Sequence, residues 1–227
     1  MNKYITYWFS VASLAFCGNI CSAQTVSGTS GGHDYVDLGL PSGTKWATCN
    51  VGASKPTMFG DYFAWGETKP KGDYNWNTYT LGTADSNGEL EMLMKYRKSK
   101  DRTTVTLEGA DDAATANWGN NWRMPTKEEQ DELKKNCNWK WEKNYKGTGV
   151  SGYIGTSVKN GNTIFLPAAG NQFNTTLYYD GHYGYYWSSS LDEYNSAFAY
   201  GFNIYNDSFD RHNYFRYYGQ SVRAVLK

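Results

Sequence analysis

The chain has 227 residues, enough for one large domain or two small ones, and its 22 basic and 22 acidic residues give a formal net charge of zero. No strongly basic block stands out, so the sequence lacks the electrostatic signature of a nucleic-acid-binding protein. Aromatic residues make up 17% of the chain and glycine occurs 24 times, which favours strands joined by tight turns over a helical bundle.

Residues 1–23 are typical of a signal peptide. Lys3 supplies a small positive region, and the apolar stretch Tyr4 to Phe16 is too short to span a bilayer. "CSA" places small residues at the third and first positions before a cut, which predicts cleavage after Ala23. The mature chain would then begin at Gln24 and contain no transmembrane segment.

A lipoprotein signal is the alternative interpretation of the same segment. "LAFC" would make Cys17 the lipidated residue, although Phe16 stands where a small residue is expected. Both interpretations predict export, to the cell surface, to the periplasm or into the medium.

Export bears on the cysteines that remain in the mature chain, Cys49 and Cys137. In an oxidising compartment such a pair tends to form a disulfide, and two buried free thiols are the alternative. No CxxC pair and no zinc-ligand spacing occurs, so no metal site is expected.

The predicted elements begin after a polar, glycine-rich segment, residues 24–33, which we expect to be a flexible leader. Short strands are predicted at "DYVDLGL", "KWATCNVG" and "GDYFAWGE". A first helix is centred on "DDAATAN". The clearest helix runs from Met124 to Cys137, because Thr126 and Glu129 have capping-box spacing and its acidic residues precede its lysines.

After this helix the pattern changes to strands separated by Gly- and Asn-rich turns. They are "NWKWE", "SGYIGTSV", "NTIFLPAAG", "YYWSSS", "SAFAYGFNI" and "QSVRAV". With no linker after residue 34, residues 34–227 are predicted to form one α+β domain.

Catalytic motifs are weak. "GTGVSG" matches GxGxxG as a string, but a strand-like segment follows it instead of the helix that a phosphate site requires. The histidines His33, His182 and His212 lie in polar segments without a nucleophile elbow. Paired carboxylates for glycoside hydrolysis follow no spacing rule, so the sequence leaves that chemistry open. We therefore expect a protein that is not an enzyme.

Several motifs in order resemble the Fibrobacter succinogenes major paralogous domain, a family of exported bacterial modules. They are "YVDLGLPSGTKWATCNVGA", "GDYFAWGET", "DDAATANWGNNWRMPTKEE", "IFLPAAG", "GYYWSSS" and "GQSVRAV", and together they cover residues 34–227. The family usually closes with SVRPV, whereas this chain has Ala224 in place of the proline.

The resemblance implies a C-type-lectin-like domain of the formylglycine-generating-enzyme type. Such a domain has two helices, a twisted mixed β-sheet and a loop-rich C-terminal half that presents a ligand, and the resemblance implies no cofactor. The enzymes of that branch use a late cysteine pair, but no cysteine follows Cys137. The Glu-Pro-Asn, Gln-Pro-Asp and Trp-Asn-Asp motifs of calcium-dependent lectins are also missing, which leaves a binding role.

The tail has an unusual composition. From Asn171 to Gln220 there are 11 Tyr, 6 Asn, 5 Ser, 5 Phe and 4 Asp, no Lys, and Glu193 is the only Glu. Antibody combining sites favour similar residues, because Tyr gives a large rigid contact area and Asn and Ser give adaptable hydrogen bonds. This composition predicts a recognition surface.

The tail also resembles the variable region of diversity-generating-retroelement proteins. There, adenine-directed mutagenesis of Asn-type codons yields Asn, Tyr, Asp, His, Ser, Phe and Ile but never Lys or Glu. "NIYNDSFDRHNYF" is written almost wholly in that alphabet. The alternative is that relatives without a retroelement have similar tails.

We therefore expect an exported, non-enzymatic module for an unknown protein or glycan ligand on a surface. A carbohydrate-binding or glycan-processing protein and a structural cell-surface subunit are the alternatives. The side chains expected to reach solvent from loops and bind the ligand are Tyr194, Asn195, Asn203, Tyr205, Asn206, Asp207, Phe209, Asp210, His212, Asn213, Tyr214 and Phe215. Tyr186, Trp187, Ala197, Phe202, Val222 and Arg223 are expected to hold the fold.

Overall fold

The computed structural model describes residues 24–97, 105–206 and 208–226, so the predicted signal peptide and Cys17 lie outside the described residues. Within those ranges the chain is α+β, with helices α1 (Ala113–Trp118) and α2 (Lys127–Asn136). The strands are β1 (Gly28–Ser30), β2 (His33–Val36), β3 (Trp46–Ala47), β4 (Gly82–Ala84), β5 (Leu90–Leu93), β6 (Trp122–Arg123), β7 (Cys137–Glu142), β8 (Gly152–Ser157), β9 (Thr163–Pro167), β10 (Asn171–Phe173), β11 (Thr176–Tyr178), β12 (Tyr183–Leu191), β13 (Phe198–Tyr205), β14 (Ser208–Phe215) and β15 (Val225–Leu226).

These strands form small sheets, the largest in the order β1-β2-β3-β15-β6 and two others in the orders β7-β8-β9 and β12-β13-β14. Every pair of described strands is antiparallel. The predicted mixed sheet is therefore wrong, since parallel pairing within the described ranges occurs only in the isolated bridges Gly170–Gly184 and Tyr186–Ser221. Short turns return the chain antiparallel, whereas parallel strands need a long crossover.

The capping box of helix α2 forms as the sequence predicts, although the helix begins at Lys127 instead of Met124 and ends at Asn136. The Thr126 side chain accepts a hydrogen bond from the Glu129 amide at 3.2 Å, and the Glu129 carboxylate accepts one from the Thr126 amide at 2.9 Å. Its inner face carries Leu133 and Gln130, whose amide nitrogen donates to the Trp187 carbonyl at 3.1 Å. This contact fixes α2 against the sheet β12-β13-β14. No helix in the described ranges is long and apolar enough to cross a bilayer.

The core confirms the residues predicted to hold the fold. Tyr186, Trp187 and Val222 are fully buried, and Ala197, Phe202 and Arg223 are no more than 9% exposed. The indole nitrogen of Trp187 donates to the Phe63 carbonyl at 2.8 Å, so this buried ring also satisfies its polar atom.

Residues 24–33 are not a flexible leader. Gln24 donates through its amide nitrogen to the Thr48 carbonyl at 2.7 Å and accepts from the Phe165 amide at 2.7 Å. The glycines Gly31 and Gly32, with φ of 55° and 83°, connect β1 to β2. A two-residue turn with both φ angles positive favours a hairpin, which the composition of this segment concealed.

Cys49 and Cys137 are free thiols, so the structure differs from the predicted disulfide. Cys49 follows β3 in the five-stranded sheet, and its sulfur lies 3.7 Å from the Thr48 hydroxyl. Cys137 begins β7 and is buried beside Leu133 and Tyr153 in another part of the core. The two side chains therefore belong to different sheets and different surroundings.

Candidate functional site

The tail forms a regular sheet where loops were predicted. Eight of the twelve predicted site residues lie in β13 or β14, which pair along their whole length from Phe198–Phe215 to Tyr205–Ser208. Tyr194, Asn195 and Asn206 lie in turns, and Asp207 lies outside the described residues. The alternation of side chains along a strand therefore decides which of these residues can reach a ligand.

Alternation divides the segment "FNIYN" between the two sides of the sheet. Phe202 and Ile204 are buried in the core, while Asn203 and Tyr205 lie on the opposite side of the sheet. Asn203 is nevertheless only 9% exposed, so its predicted exposure is wrong. Its side-chain oxygen has no hydrogen-bond partner among the described residues.

Three other predicted site residues pack against the core instead of standing free. Phe209 is buried, with its ring centroid 4.6 Å from that of Phe202. Tyr214 and Phe215 are half-buried, and their ring centroids lie 6.1 Å from Trp187 and 4.2 Å from Phe198, respectively. Pairing with β13 turns these rings inward, which composition alone could not reveal.

The exposed members of the set are spread along the hairpin, with His212 inside β14 opposite Gly201 and the others towards its two ends. Tyr194, Asn195 and Asn213 surround Asp192, whose carboxylate accepts hydrogen bonds from the Tyr194 amide at 2.7 Å and the Asn213 side chain at 2.6 Å. Asn206 lies at the other end, beyond Tyr205. An eight-residue strand spans roughly 25 Å, so the twelve residues do not form one patch.

A continuous tyrosine surface lies between these ends. We call it the tyrosine face and define it by Tyr178, Tyr179, Tyr183, Tyr185, Tyr205 and Tyr214. Successive ring centroids lie 6.0 Å apart for Tyr178–Tyr179, 5.4 Å for Tyr179–Tyr183 and 5.0 Å for Tyr183–Tyr205. Tyr185 continues the row, 6.0 Å from Tyr183 and 5.5 Å from Tyr214.

Four members of the tyrosine face were missed by the sequence analysis. Tyr183 and Tyr185 are two residues apart, the spacing that places both on one side of a strand. Tyr178 ends β11 and Tyr179 follows it, and their side chains are 40% and 56% exposed. The spacing in "YGY" could have identified the first pair, whereas the second pair joins the row only through the tertiary fold.

The buried hydroxyl groups of this face are uncharged hydrogen-bonding groups. Burial raises the pKa of Tyr185 to about 12 and also raises that of Tyr214. Their hydroxyls therefore remain protonated at neutral pH. At the margin, a hydrogen bond from Ser208 and the contact with Lys134 lower the pKa of Asp210.

Metal-ligating residues do not cluster in the described part of the chain, where no group of three or more His, Cys, Asp or Glu side chains could hold an ion. His33 is stacked on Trp118 with ring centroids 3.9 Å apart, and burial lowers its pKa. The arrangement of the tail thus offers ring faces, hydroxyls and amides to a ligand.

The chain matches no known protein-family model, and neither a curated protein nor a solved structure is significantly similar to it.

Proposed function

We propose that the protein is an exported, non-enzymatic ligand-binding module and that the tyrosine face is its binding surface. The observation that carries this proposal is the unbroken row of six tyrosine rings, four of them on one side of the sheet β12-β13-β14 and two at the end of the hairpin β10-β11. Strands hold these rings at fixed spacing, so little side-chain freedom is lost when a ligand docks on them.

The chemistry of the row suits a protein or glycan ligand displayed on a surface. Each tyrosine offers an apolar ring and a hydroxyl that both donates and accepts hydrogen bonds. Such aromatic residues commonly dominate binding energy, with losses of about 2 kcal/mol or more on truncation. Lysines, which lose more side-chain entropy on docking, are absent from residues 160–226.

The proposed family is the Fibrobacter succinogenes major paralogous domain, with its C-type-lectin-like fold. The ordered motifs and the two helices among antiparallel sheets support this assignment. Diversification of the tail by a retroelement is part of the same proposal. Sequencing of the encoding locus tests it, since a neighbouring reverse transcriptase and a template repeat of the tail are expected.

The binding surface is tested by removing its exposed rings. The combined variant Tyr179→Asn, Tyr183→Ser and Tyr205→Ser should lose capture of ligand from cell-surface extracts and keep its melting temperature within a few degrees. Asn suits position 179 because φ is 62° there, a conformation that Asn tolerates. Tyr214 and Phe215 are left intact because they pack on buried rings.

Tyr194→Ser is the matched control, because Tyr194 is 68% exposed but lies outside the row. It should capture ligand as the parent does. A glycan array probed with both proteins distinguishes a glycan ligand from a protein ligand. Equal capture by the combined variant and the parent would show that the binding surface lies elsewhere.

Trp187→Ala serves as the destabilised reference. Trp187 is fully buried, so its removal should cost about 3–5 kcal/mol of unfolding free energy, measured by urea denaturation. This variant shows how capture responds to loss of stability alone. A loss below about 1 kcal/mol would contradict the core position of this ring.

A further inference from the structure

An unpartnered polar atom lies between the rings of the tyrosine face. Asn203 in β13 has Tyr185 and Asp210 as its partners on the neighbouring strands, and Tyr205 follows it on the same side of the sheet. Asn203 is only 9% exposed, and its side-chain oxygen accepts no hydrogen bond from any described residue. A buried acceptor without a donor costs free energy, so a ligand that supplies a donor here removes that cost.

The rings of the tyrosine face carry no cation of the protein itself. Elsewhere lysines lie over tyrosine rings, with the Lys127 Nζ atom 4.7 Å from the ring centroid of Tyr200 and the Lys95 Nζ atom 4.9 Å from that of Tyr96. Among the described residues, no lysine or arginine lies over a ring of the tyrosine face. Because the face of a tyrosine ring attracts cations, these rings can receive one from a ligand.

The carboxylates beside this face differ in their partners. Asp180 is exposed, lies between Tyr179 and Tyr183 in the chain, and has no cation within 4.0 Å among the described residues. Asp210, on the other margin, is already paired with Lys134 at 3.3 Å. Asp180 is therefore the carboxylate that remains for a ligand.

The basic side chains near this face do not neutralise Asp180. Arg211 lies on the other side of the sheet, where it binds Asp131 at 2.6 Å. His182 and His212 are exposed beside the rings, so binding is best measured at pH 8, where free imidazole is neutral. At that pH the face presents ring faces, an unpaired carboxylate and an unpartnered acceptor.

We propose that the tyrosine face binds a peptide segment that exposes arginine. This inference rests on the proposed function of that face and names the chemistry of its ligand. The guanidinium group would stack on the tyrosine rings and donate hydrogen bonds to Asn203 Oδ1 and to the Asp180 carboxylate. Arginine suits these partners better than lysine, because its planar cation can cover a ring while its edge donates hydrogen bonds.

The same groups argue against other occupants. A second copy that docked through the same face would bring further tyrosines and a second Asp180, but no cation. A neutral glycan could donate a hydroxyl group to Asn203, but it carries no charge for Asp180 and the ring faces to attract. An arginine side chain satisfies all three features at once.

The test uses the chain that begins at Gln24 and a capped six-residue peptide of alternating arginine and serine. A matched peptide has citrulline, the uncharged analogue of arginine with nearly the same shape, at each arginine position. Isothermal titration calorimetry at pH 8 should show that the arginine peptide binds roughly tenfold more tightly or better. In NMR spectra, the arginine peptide should shift the side-chain amide signals of Asn203.

Asp180→Asn tests the carboxylate, with Glu91→Gln as the matched control. Glu91 is also exposed but lies in β5, outside the tyrosine face, and its substitution removes the same charge. Asp180→Asn should weaken binding of the arginine peptide roughly twofold to fivefold, as expected for an exposed ion pair, and Glu91→Gln should leave it unchanged. Asn203→Leu removes the acceptor and should also weaken binding.

Equal affinities for the arginine and citrulline peptides would overturn the proposal, as would equal effects of Asp180→Asn and Glu91→Gln. Binding of phosphatidylcholine vesicles without binding of the arginine peptide would overturn it in favour of a lipid headgroup.

The ligand class and the binding surface can fail separately. The combined tyrosine-face variant should lose the arginine peptide together with capture from cell-surface extracts. If that variant loses capture but the parent binds no arginine peptide, the surface is correct and the ligand class is wrong. If that variant captures ligand as the parent does, the surface itself is wrong.

Discussion

Two buried arginines of the tail, Arg216 and Arg223, bind to residues of the core. Arg216 has its guanidinium carbon 4.8 Å from the ring centroid of Trp65 and 5.2 Å from that of Tyr79. Its Nη1 atom donates to the carbonyls of Lys95 and Ser196, each at 3.2 Å. Aromatic faces and carbonyl oxygens thus stabilise the cation where no described carboxylate pairs with it.

Arg223 is likewise buried and donates hydrogen bonds to uncharged oxygen atoms. Its Nε donates to the Asn50 side chain at 2.9 Å, and its Nη1 donates to the carbonyls of Ala47 and Thr48 at 3.2 Å. Burial lowers the pKa of both arginines. A lysine has no planar array of donors to satisfy several carbonyls at once, which explains why a tail without lysine retains these two cations.

The cysteines permit a direct chemical test. In the native, unreduced protein, iodoacetamide should label Cys49 first, because this residue is partly exposed. Cys137 should react slowly, since burial raises its pKa to about 12 and the thiolate is the reactive form. Peptide mapping before and after denaturation measures both rates. Labelling of neither thiol until reductant is added would indicate a disulfide.

At the scale of elements, one carboxylate joins the start of α2 to its surroundings. Glu129 accepts hydrogen bonds from the Thr126 amide at 2.9 Å, the Thr44 hydroxyl at 3.1 Å and Arg123 Nη1 at 2.6 Å. Burial alone would raise the pKa of Glu129. The hydrogen bonds outweigh burial, so the pKa is lower than in an unfolded chain.

This shift predicts a pH dependence of stability. Because the folded pKa is the lower one, the contribution of Glu129 is complete above its unfolded pKa of about 4.3 and is lost as pH falls through the folded value. Glu129→Gln should cost about 1–3 kcal/mol at neutral pH, since Arg123 loses its charged partner. The difference from the parent should shrink below about pH 4.

Urea denaturation at neutral and acidic pH measures the effect. Glu128→Gln, on an exposed neighbour in the same helical turn, is the control and should change stability by less than about 0.5 kcal/mol. A Glu129→Gln penalty that stays constant with pH would mean that the charge is not the cause.

The two helices and about half of the described strands could be predicted because their signals are local. The predicted strand "GDYFAWGE" is wrong, since that segment has only the isolated bridge Phe63–Gln220. The cap of α2 needs only Thr126 and Glu129, and β13 has a clear hydrophobic alternation. Strand β14 gives no such signal, because it is an edge strand with polar residues on both sides. Its structure depends on pairing with β13, and composition does not reveal which residues of the two strands pair.

At the scale of the whole molecule, the N-terminal residues Gln24 and Thr25 connect two sheets through hydrogen bonds. Thr25 donates through its amide to the Thr163 carbonyl at 3.0 Å, while Gln24 bonds to both Thr48 and Phe165. These contacts connect the five-stranded sheet to β9.

Removal of residues 24–30 should lower the unfolding free energy by about 2–5 kcal/mol, from the loss of several hydrogen bonds worth roughly 0.5–1.5 kcal/mol each. Urea denaturation of chains that begin at Gln24 and at Gly31 makes the comparison. Gln24→Ala in the longer chain should give an intermediate loss. Equal urea midpoints for the two chains would show that residues 24–30 do not stabilise the fold, as expected of a flexible leader.

The candidate site was predictable in region but not in detail. Composition identified the tail, because Tyr and Asn replace Lys and Glu there. Tyr183 and Tyr214 lie on the same side of the sheet, but Tyr214 also packs on Trp187, and this contact decides which of the two rings can be removed without loss of core packing. Tyr178 joins the row through the folding of a separate hairpin, a contact without any local signal.

The position of β15 has a consequence for biosynthesis. This last strand lies between β3 and β6, pairing Val225 with both Trp46 and Arg123. The five-stranded sheet therefore stays incomplete until residues 225–226 have left the ribosome, and such non-local pairings form late. A nascent chain that has not yet released these residues lacks the strand that joins β3 to β6, so this sheet cannot close while the preceding residues are being synthesised.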